Sequence, residues 1–162
     1  MSNLSEIVTT DLLGIPRGVI VQQVNCRGAM GRGLALAIRQ KWPVVYSEYR
    51  KRFFAGELKL GSIQFVKVAP ELCVCNLAGQ FDWGTDSPKT DLGAYSIAWP
   101  IVSLEAEKLG LPVYAPWMFG CGLAGGDWSV VRPLIESLCP GVIWVRREIG
   151  HTWEKSENYR GF

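Results

Sequence analysis

Short apolar runs of strand length alternate along this chain with stretches of helical periodicity. Residues 6–10 and 18–24 (Gly-Val-Ile-Val-Gln-Gln-Val) read as strands. A helix is expected over 34–41, where Leu34 and Ile38 are four apart and Pro43 lies just past the end. Val45, Tyr49 and Phe53 repeat at the same spacing and give a second helix that stops at Gly56. Residues 62–68 and 72–77, rich in Val, Ile and Phe, are strands separated by a turn at Pro70. The pattern predicts a helix over 92–109, with Ile97, Ile101 and Leu104 on one side and Pro100 kinking or dividing it. A strand at 112–117, a helix at 128–138 and a last strand at 142–145 complete the order β-β-α-α-β-β-α-β-α-β. Strands this uniformly apolar need cover on both faces. The expected class is therefore α/β, with helices on either side of a largely parallel sheet.

The length of 162 residues, with 48% hydrophobic and 20% charged residues, suits one compact domain over 1–162. A chain of this size buries roughly 70% of its unfolded surface. The first six residues carry no basic segment leading into an apolar one, so no signal peptide is expected. The charge-free stretch 109–126 holds two prolines and five glycines and is a poor membrane helix. Cys26, Cys73, Cys75, Cys121 and Cys139 are odd in number and lie mostly inside apolar runs, as reduced thiols of a cytoplasmic protein would. With His151 as the single histidine, no zinc site is expected.

The net charge of +2 does not suggest nucleic-acid binding. Locally, however, Arg27, Arg32, Arg39, Lys41, Arg50, Lys51 and Arg52 face only Glu48 as an acid. This run is either a solvated basic helix face or a field that draws an anionic ligand to the glycines at 28–33.

Three polar or glycine-rich segments sit where strands end, which is where α/β sheets bind ligands. The first is Gln22-Gln23-Val24-Asn25-Cys26-Arg27-Gly28-Ala29-Met30-Gly31-Arg32-Gly33. It is either an ordinary βα turn or a backbone surface that approaches a ligand, with the N–H groups of the next helix attracting an anion. In the second, Gly120-Cys121-Gly122-Leu123-Ala124-Gly125-Gly126-Asp127, the spacing of Gly120, Gly122 and Gly125 matches G-x-G-x-x-G between a strand and a helix. Glu148 follows one strand later, where a ribose-binding acid could sit. Too few residues follow it for a nicotinamide half-domain, so only the phosphate-cradling reading is kept. Asp127 is either a functional carboxylate or a helix cap. The third, 76–91, is a long polar loop with Trp83 exposed to stack on a base or ribose and Lys89 as its one base. Lys89 faces an anion or an electrophilic carbon, or is a plain surface lysine. Cys26 and Cys121 border glycine loops and could be nucleophiles, though neither has a base nearby. His151 reads as a surface residue.

In this order the segments Thr10-Asp11-Leu12-Leu13, Val24-Asn25-Cys26-Arg27-Gly28-Ala29-Met30-Gly31-Arg32-Gly33-Leu34-Ala35, Pro88-Lys89-Thr90-Asp91 and Gly120-Cys121-Gly122-Leu123-Ala124-Gly125-Gly126-Asp127-Trp128 resemble a macrodomain. The resemblance is to the small stand-alone branch of ADP-ribose 1″-phosphate phosphatases and of glycohydrolases acting on glutamate- or DNA-linked ADP-ribose, found among bacteria and their phages. The Asn-Ala-Ala-Asn stretch of the protein-deacylating macrodomains is replaced here by Asn25-Cys26-Arg27-Gly28. The resemblance implies a three-layer α/β/α fold with a mixed, mostly parallel sheet, and a hydrolase that removes a group from the distal ribose of an ADP-ribose derivative. A non-catalytic ADP-ribose reader is the alternative. It assigns Asp11 and Leu12 to adenine, and Asn25, Gly28, Gly31 and Gly33 to the distal ribose. The diphosphate falls to Gly122, Leu123, Ala124, Gly125 and Gly126, and catalysis to Lys89 and Asp127. A desolvated lysine is a usable nucleophile and a carboxylate can move protons at a glycosidic carbon. A bound phosphate at the distal ribose would instead be stabilised by Lys89 or Arg27. Neither scheme calls for a metal or a cofactor. A monomer is expected, with nucleic acid a partner only as an ADP-ribosylated substrate.

Overall fold

The computed structural model describes residues 5–147. Its six-stranded sheet has the order β1-β6-β5-β2-β4-β3, formed by β1 (Ile7–Thr9), β2 (Gly18–Asn25), β3 (Ile63–Ala69), β4 (Leu72–Gln80), β5 (Val113–Pro116) and β6 (Ile143–Arg146). All neighbours are parallel except β3, which returns antiparallel along β4 through the Pro70 turn. The sheet is therefore mixed and mostly parallel, as expected. The helices are α1 (Gly33–Lys41), α2 (Pro43–Phe54), α3 (Leu92–Leu109) and α4 (Trp128–Leu138), with a 3-10 turn at Leu12–Gly14 after β1. Pro43 opens α2 at a position where its missing N–H costs nothing.

β2 shows why the molecule has three layers. Its side chains alternate between faces. Val19 and Val21 enter one core with Trp99 of α3 and Ile135 of α4, while Ile20 and Val24 enter the other with Ile38 of α1 and Tyr49 of α2. The period-2 run thus has two cores to fill, one on each face of the sheet.

Two details of α3 differ from expectation. Pro100 does not divide it, because the helix runs unbroken from Leu92 to Leu109. The carbonyl deprived of its partner belongs to Ser96, which, like Pro100, faces solvent, where water satisfies it. The side carrying Ile97, Ile101 and Leu104 is the exposed one. The buried face is made by Ala94, Tyr95, Ala98, Trp99, Val102 and Ala106, whose small residues let the helix approach the sheet closely.

No helix among the described residues is long and apolar enough to cross a membrane. The readings of Glu148 and His151 lie outside the described residues.

Candidate functional site

β2 lies between β4 and β5, so the loops leaving the carboxyl ends of these three strands diverge around its end and enclose a cavity of about 460 Å³. That is the usual size of a small-molecule site. Its walls come from the end of β2, the loop into α1, the loop after β4 and the loop after β5. Arg32 is the only charged residue among those that line it.

On one side, Asn25 shapes the loop into α1. Its Oδ1 accepts from the N–H groups of Arg27 (3.0 Å) and Ala29 (3.2 Å), and its Nδ2 donates to the Ala29 carbonyl (2.9 Å). The buried Tyr49 hydroxyl lies 2.5 Å from the Asn25 carbonyl and 2.9 Å from Oδ1, and burial pushes its phenol well up. Asn25 lines the cavity with one amide hydrogen to spare. Gly28 has φ +77° and turns away from the cavity. Its carbonyl accepts from Arg50, and a Cβ there would stand 2.9 Å from the Phe53 ring. Gly31 and Gly33 do line the cavity.

The next helix, α1, starts there without a side-chain cap, whereas α3 and α4 are capped by Asp91 and Asp127. Its first internal bond runs from the Leu36 N–H to the Arg32 carbonyl. The N–H groups of Gly33, Leu34 and Ala35, residues of the cavity wall, are left without partners among the described residues.

The loop after β5 forms the opposite wall. Met118 holds φ 67°, an uncommon conformation for a residue with a side chain. Within the loop, the N–H groups of Cys121, Gly125 and Gly126 bond to the carbonyls of Met118, Gly122 and Gly120. Those of Gly122, Leu123 and Ala124 have no partner among the described residues, and these three residues line the cavity. Of the expected diphosphate cradle, then, 122–124 face the cavity, while Gly125 and Gly126 hold the loop together.

Asp11 and Leu12 follow β1 and do not line the cavity. Asp11 caps the 3-10 turn through Oδ1, 3.0 Å from the Leu13 N–H, and leaves its other oxygen to solvent. Trp83 stands at the rim, 58% exposed. Lys89 is outside the lining, but its N–H bonds to the Ala124 carbonyl at 2.7 Å, directly behind the glycine wall. Its side chain is 17% exposed, and its ammonium pairs with Asp86 at 3.0 Å, which holds that exposed carboxyl below its ordinary value. Asp127 accepts from the N–H (3.0 Å) and hydroxyl (2.7 Å) of Ser129, the geometry of a helix cap. Burial pushes up both candidate thiols, Cys121 to about 12 with help from the Asp127 charge. Burial therefore disfavours the thiolate at both positions.

The basic run divides into separate tasks. Lys41 donates to the Leu13 carbonyl (2.6 Å), Arg50 to Gly28, Arg52 to the Ile63 carbonyl (2.6 Å), Lys51 pairs with Glu48, and Arg39 stacks on Tyr46. Arg27 approaches Asp82 at 4.0 Å. Arg32 alone is left to the cavity. It, the buried Gln22 and the half-buried Gln23 line the cavity. All three fall within the first of the polar, glycine-rich segments, although the sequence alone assigned no individual role to them. Among the described residues no cluster of three or more His, Cys, Asp or Glu is arranged to hold a metal ion.

Sheet order, three layers and a cavity beyond the carboxyl ends of the central strands define a macrodomain fold. A macrodomain protein from Streptomyces coelicolor superposes with a TM-score of 0.76 at 28% identity, over 90% of this chain and 99% of that one. A structure of a protein of unknown function from Bacteroides thetaiotaomicron gives a TM-score of 0.81 at 29% identity, over 90% of this chain and 98% of that one. In sequence, the chain is 28% identical over 133 residues to a DNA ADP-ribosyl glycohydrolase of Mycobacterium bovis. The match takes in 78% of this chain but spans only 36% of that relative's length. No family model matches the chain.

Proposed function

We propose that this macrodomain binds ADP-ribose and hydrolyses a substituent from the distal ribose of an ADP-ribose derivative, acting as an ADP-ribosyl glycohydrolase. The observation that carries the reading is that two sets of amides without partners among the described residues, Gly33–Leu34–Ala35 and Gly122–Leu123–Ala124, belong to residues lining one cavity whose one lining charge is positive. Free N–H groups at a helix start and in a turn favour a polyanion of diphosphate size. Asn25 then offers its spare hydrogen to the distal ribose, Trp83 a stacking face, and Asp11 its free oxygen to the adenine amino group. The name of the mycobacterial relative supports hydrolase chemistry at the ribose, as does that of an ADP-ribose 1″-phosphate phosphatase of Aspergillus clavatus, 24% identical over 78% of this chain and 85% of that one.

In the proposed reaction Lys89, parted from Asp86 and from its proton, attacks or stabilises the anomeric carbon. Asp127 accepts the proton that Lys89 gives up and passes it to the substituent, which leaves with the bonding pair of the cleaved bond. Water then displaces the Lys89 amine from the anomeric carbon, its hydroxyl staying on the ribose and its other proton going to the amine. The substrate is an ADP-ribosylated partner, nucleic acid included only as such a carrier, and the working form is a cytoplasmic monomer.

A second reading, a non-catalytic ADP-ribose reader, is favoured by one observation. The side chains of Lys89 and Asp127 are engaged elsewhere, by Asp86 and by the start of α4.

Calorimetric titration with ADP-ribose, with AMP and NAD as controls, tests the binding site, and selective micromolar binding is expected. Release of ADP-ribose is then followed from an ADP-ribosylated single-stranded DNA oligonucleotide and from a glutamate-linked protein adduct, and release of phosphate from ADP-ribose 1″-phosphate. Lys89→Ala and Asp127→Ala are expected to abolish turnover while keeping ADP-ribose affinity. Wild-type turnover in both variants removes the catalytic assignment. Tight binding with no turnover of any substrate establishes the reader.

A further inference from the structure

Thr90 follows Lys89 in the chain and is tied into a hydrogen-bonded cluster at the edge of the cavity, of which Gln23, Gln80 and Gly120 line the wall. At its centre is Gln23, on the α3 side of β2. Its Nε2 donates to Gln80 Oε1 (2.9 Å) and to Thr90 Oγ1 (3.0 Å), and its Oε1 accepts from the Tyr95 hydroxyl. Thr90 donates in turn to the Gly120 carbonyl (2.6 Å), and Gln80 Nε2 to the Asp82 carbonyl (2.7 Å).

The polarity of this cluster has one solution. Carbonyl oxygens only accept, so the Thr90 hydroxyl spends its proton on Gly120 and can only accept from Gln23. Gln80 spends amide hydrogen on Asp82, which leaves its oxygen for Gln23. The Gln23 nitrogen must therefore supply both bonds, and its oxygen is left to Tyr95. Removing Gln23 takes a partner from Gln80, Thr90 and Tyr95 at once, while Thr90 keeps Gly120 and Gln80 keeps Asp82.

Backbone bonds run alongside. The N–H groups of Lys89 (2.7 Å) and Thr90 (3.3 Å) share the Ala124 carbonyl, and the Asp91 N–H bonds to the Gly79 carbonyl at 2.7 Å. Two glycines make room for the cluster. A Cβ on Gly120, which holds φ +70°, would run into the Tyr95 hydroxyl and stand 3.0 Å from Thr90 Oγ1, and one on Gly79 would run into Gln23 Oε1. Gly120 therefore serves this cluster as well as the cavity wall it shares with Gly122. An apolar residue at 23 would suit the strand without any buried polar group to satisfy, so the glutamine marks a task other than folding.

We infer that Gln23 and Thr90 form a clamp that fixes the Lys89 loop against the glycine loop after β5, and that both are positioning residues for Lys89. The inference rests on the proposed catalytic role of Lys89. Steady-state release from whichever substrate the wild type turns over, ADP-ribosylated single-stranded DNA or ADP-ribose 1″-phosphate, is compared with ADP-ribose affinity. Thr90→Val is expected to lower kcat roughly 10²-fold while the ADP-ribose Kd stays within about threefold, because a reacting group displaced by about an ångström loses rate rather than binding. Thr90→Ser, which keeps the hydroxyl, restores kcat to within about threefold. Gln80→Met removes one arm at the half-buried rim, where the fold tolerates it, and is expected to cost kcat about tenfold.

Hydrogen exchange on the ligand-free protein gives a readout independent of catalysis. Thr90→Val is expected to raise exchange both in 82–91 and in 119–124, and Thr90→Ser in neither. Unchanged kcat in Thr90→Val and Gln80→Met overturns the clamp, as does a serine variant as impaired as the valine one. Should the wild type not turn over at all, the hydrolase reading fails by itself, and should Lys89→Ala turn over normally, the catalytic role of Lys89 does. The exchange measurement then decides the clamp, and unaltered exchange in 119–124 overturns it.

Discussion

Cys121 sits between two glycines of the loop that walls the cavity, the position in which a nucleophilic thiol attracts suspicion. Its surroundings remove it from the chemistry. Burial comes first and the Asp127 charge second, and together they push the thiol up to about 12. Its Sγ donates to the Phe119 carbonyl at 3.3 Å. At pH 8 a thiol with that value is ionised in roughly one molecule in 10⁴, so alkylation by iodoacetamide is expected to run about 10³-fold slower than for an ordinary cysteine. Cys121→Ser keeps a donor for Phe119 and is expected to leave turnover within about threefold. Rapid alkylation in step with loss of turnover would return Cys121 to the mechanism. The same scale separates residues that share a motif. Asn25 spends most of its hydrogen-bonding capacity on the loop that Gly31 and Gly33 then present, and Gly28 packs against Arg50 and Phe53 of α2.

Among the elements, α1 gives up stability where α3 and α4 do not. Its N-cap is Arg32, with extended backbone angles (φ −144°, ψ 158°) suited to a capping side chain that arginine cannot provide. An Asp there would accept from the helix N–H groups and oppose a second negative charge. Arg32→Asp is therefore expected to stabilise the protein by about 1 kcal/mol, or roughly 2–4 °C in Tm, and to weaken ADP-ribose at least about tenfold. Thermal melts and titration read the two effects, and a variant that gains stability and keeps its affinity would detach the anion site from α1. The elements themselves were legible in the sequence because each carries its own periodicity, and all ten appear in the expected order with ends shifted by a residue or a few. The face of α3 was not legible, since its buried side is built from alanines and aromatics while Ile97, Ile101 and Leu104 point outward. The site was legible as glycine loops, because backbone approach leaves a compositional mark. The clamp was not, because Gln23 finds Thr90 and Tyr95 across 67 and 72 residues of chain, a pairing that no local pattern records. Arg32 was legible as one of a basic run beside the glycines, but only the fold separates it from neighbours of the same charge that have other tasks.

Across the whole molecule, a second amide chain runs perpendicular to the strands on the α1–α2 face. Gln22 Nε2 donates to Asn76 Oδ1 (2.8 Å), Asn76 Nδ2 to Gln64 Oε1 (3.1 Å), and Gln64 Nε2 to the Glu48 carbonyl of α2 (3.0 Å). The three residues pair in register on β2, β4 and β3, and all are buried. Because Glu48 contributes a carbonyl, every amide in the row has a fixed orientation, and the far end, Gln22 Oε1, is left buried without a partner. Such a row adds little net stability, since each bond replaces one to water. It does penalise a one-residue slip, which would carry all three amides into the opposite, apolar core. Breaking it at one point should therefore cost far more than removing it. Asn76→Leu strands the amides of Gln22 and Gln64 and is expected to destabilise by about 2–4 kcal/mol in urea unfolding. The triple Gln22→Leu, Asn76→Leu, Gln64→Leu leaves only the Glu48 carbonyl, already an acceptor within α2, and is expected to recover at least about half of that loss. A triple variant less stable than Asn76→Leu would mean that the row contributes to stability itself, and that the register of β2, β4 and β3 is set by the apolar pattern alone.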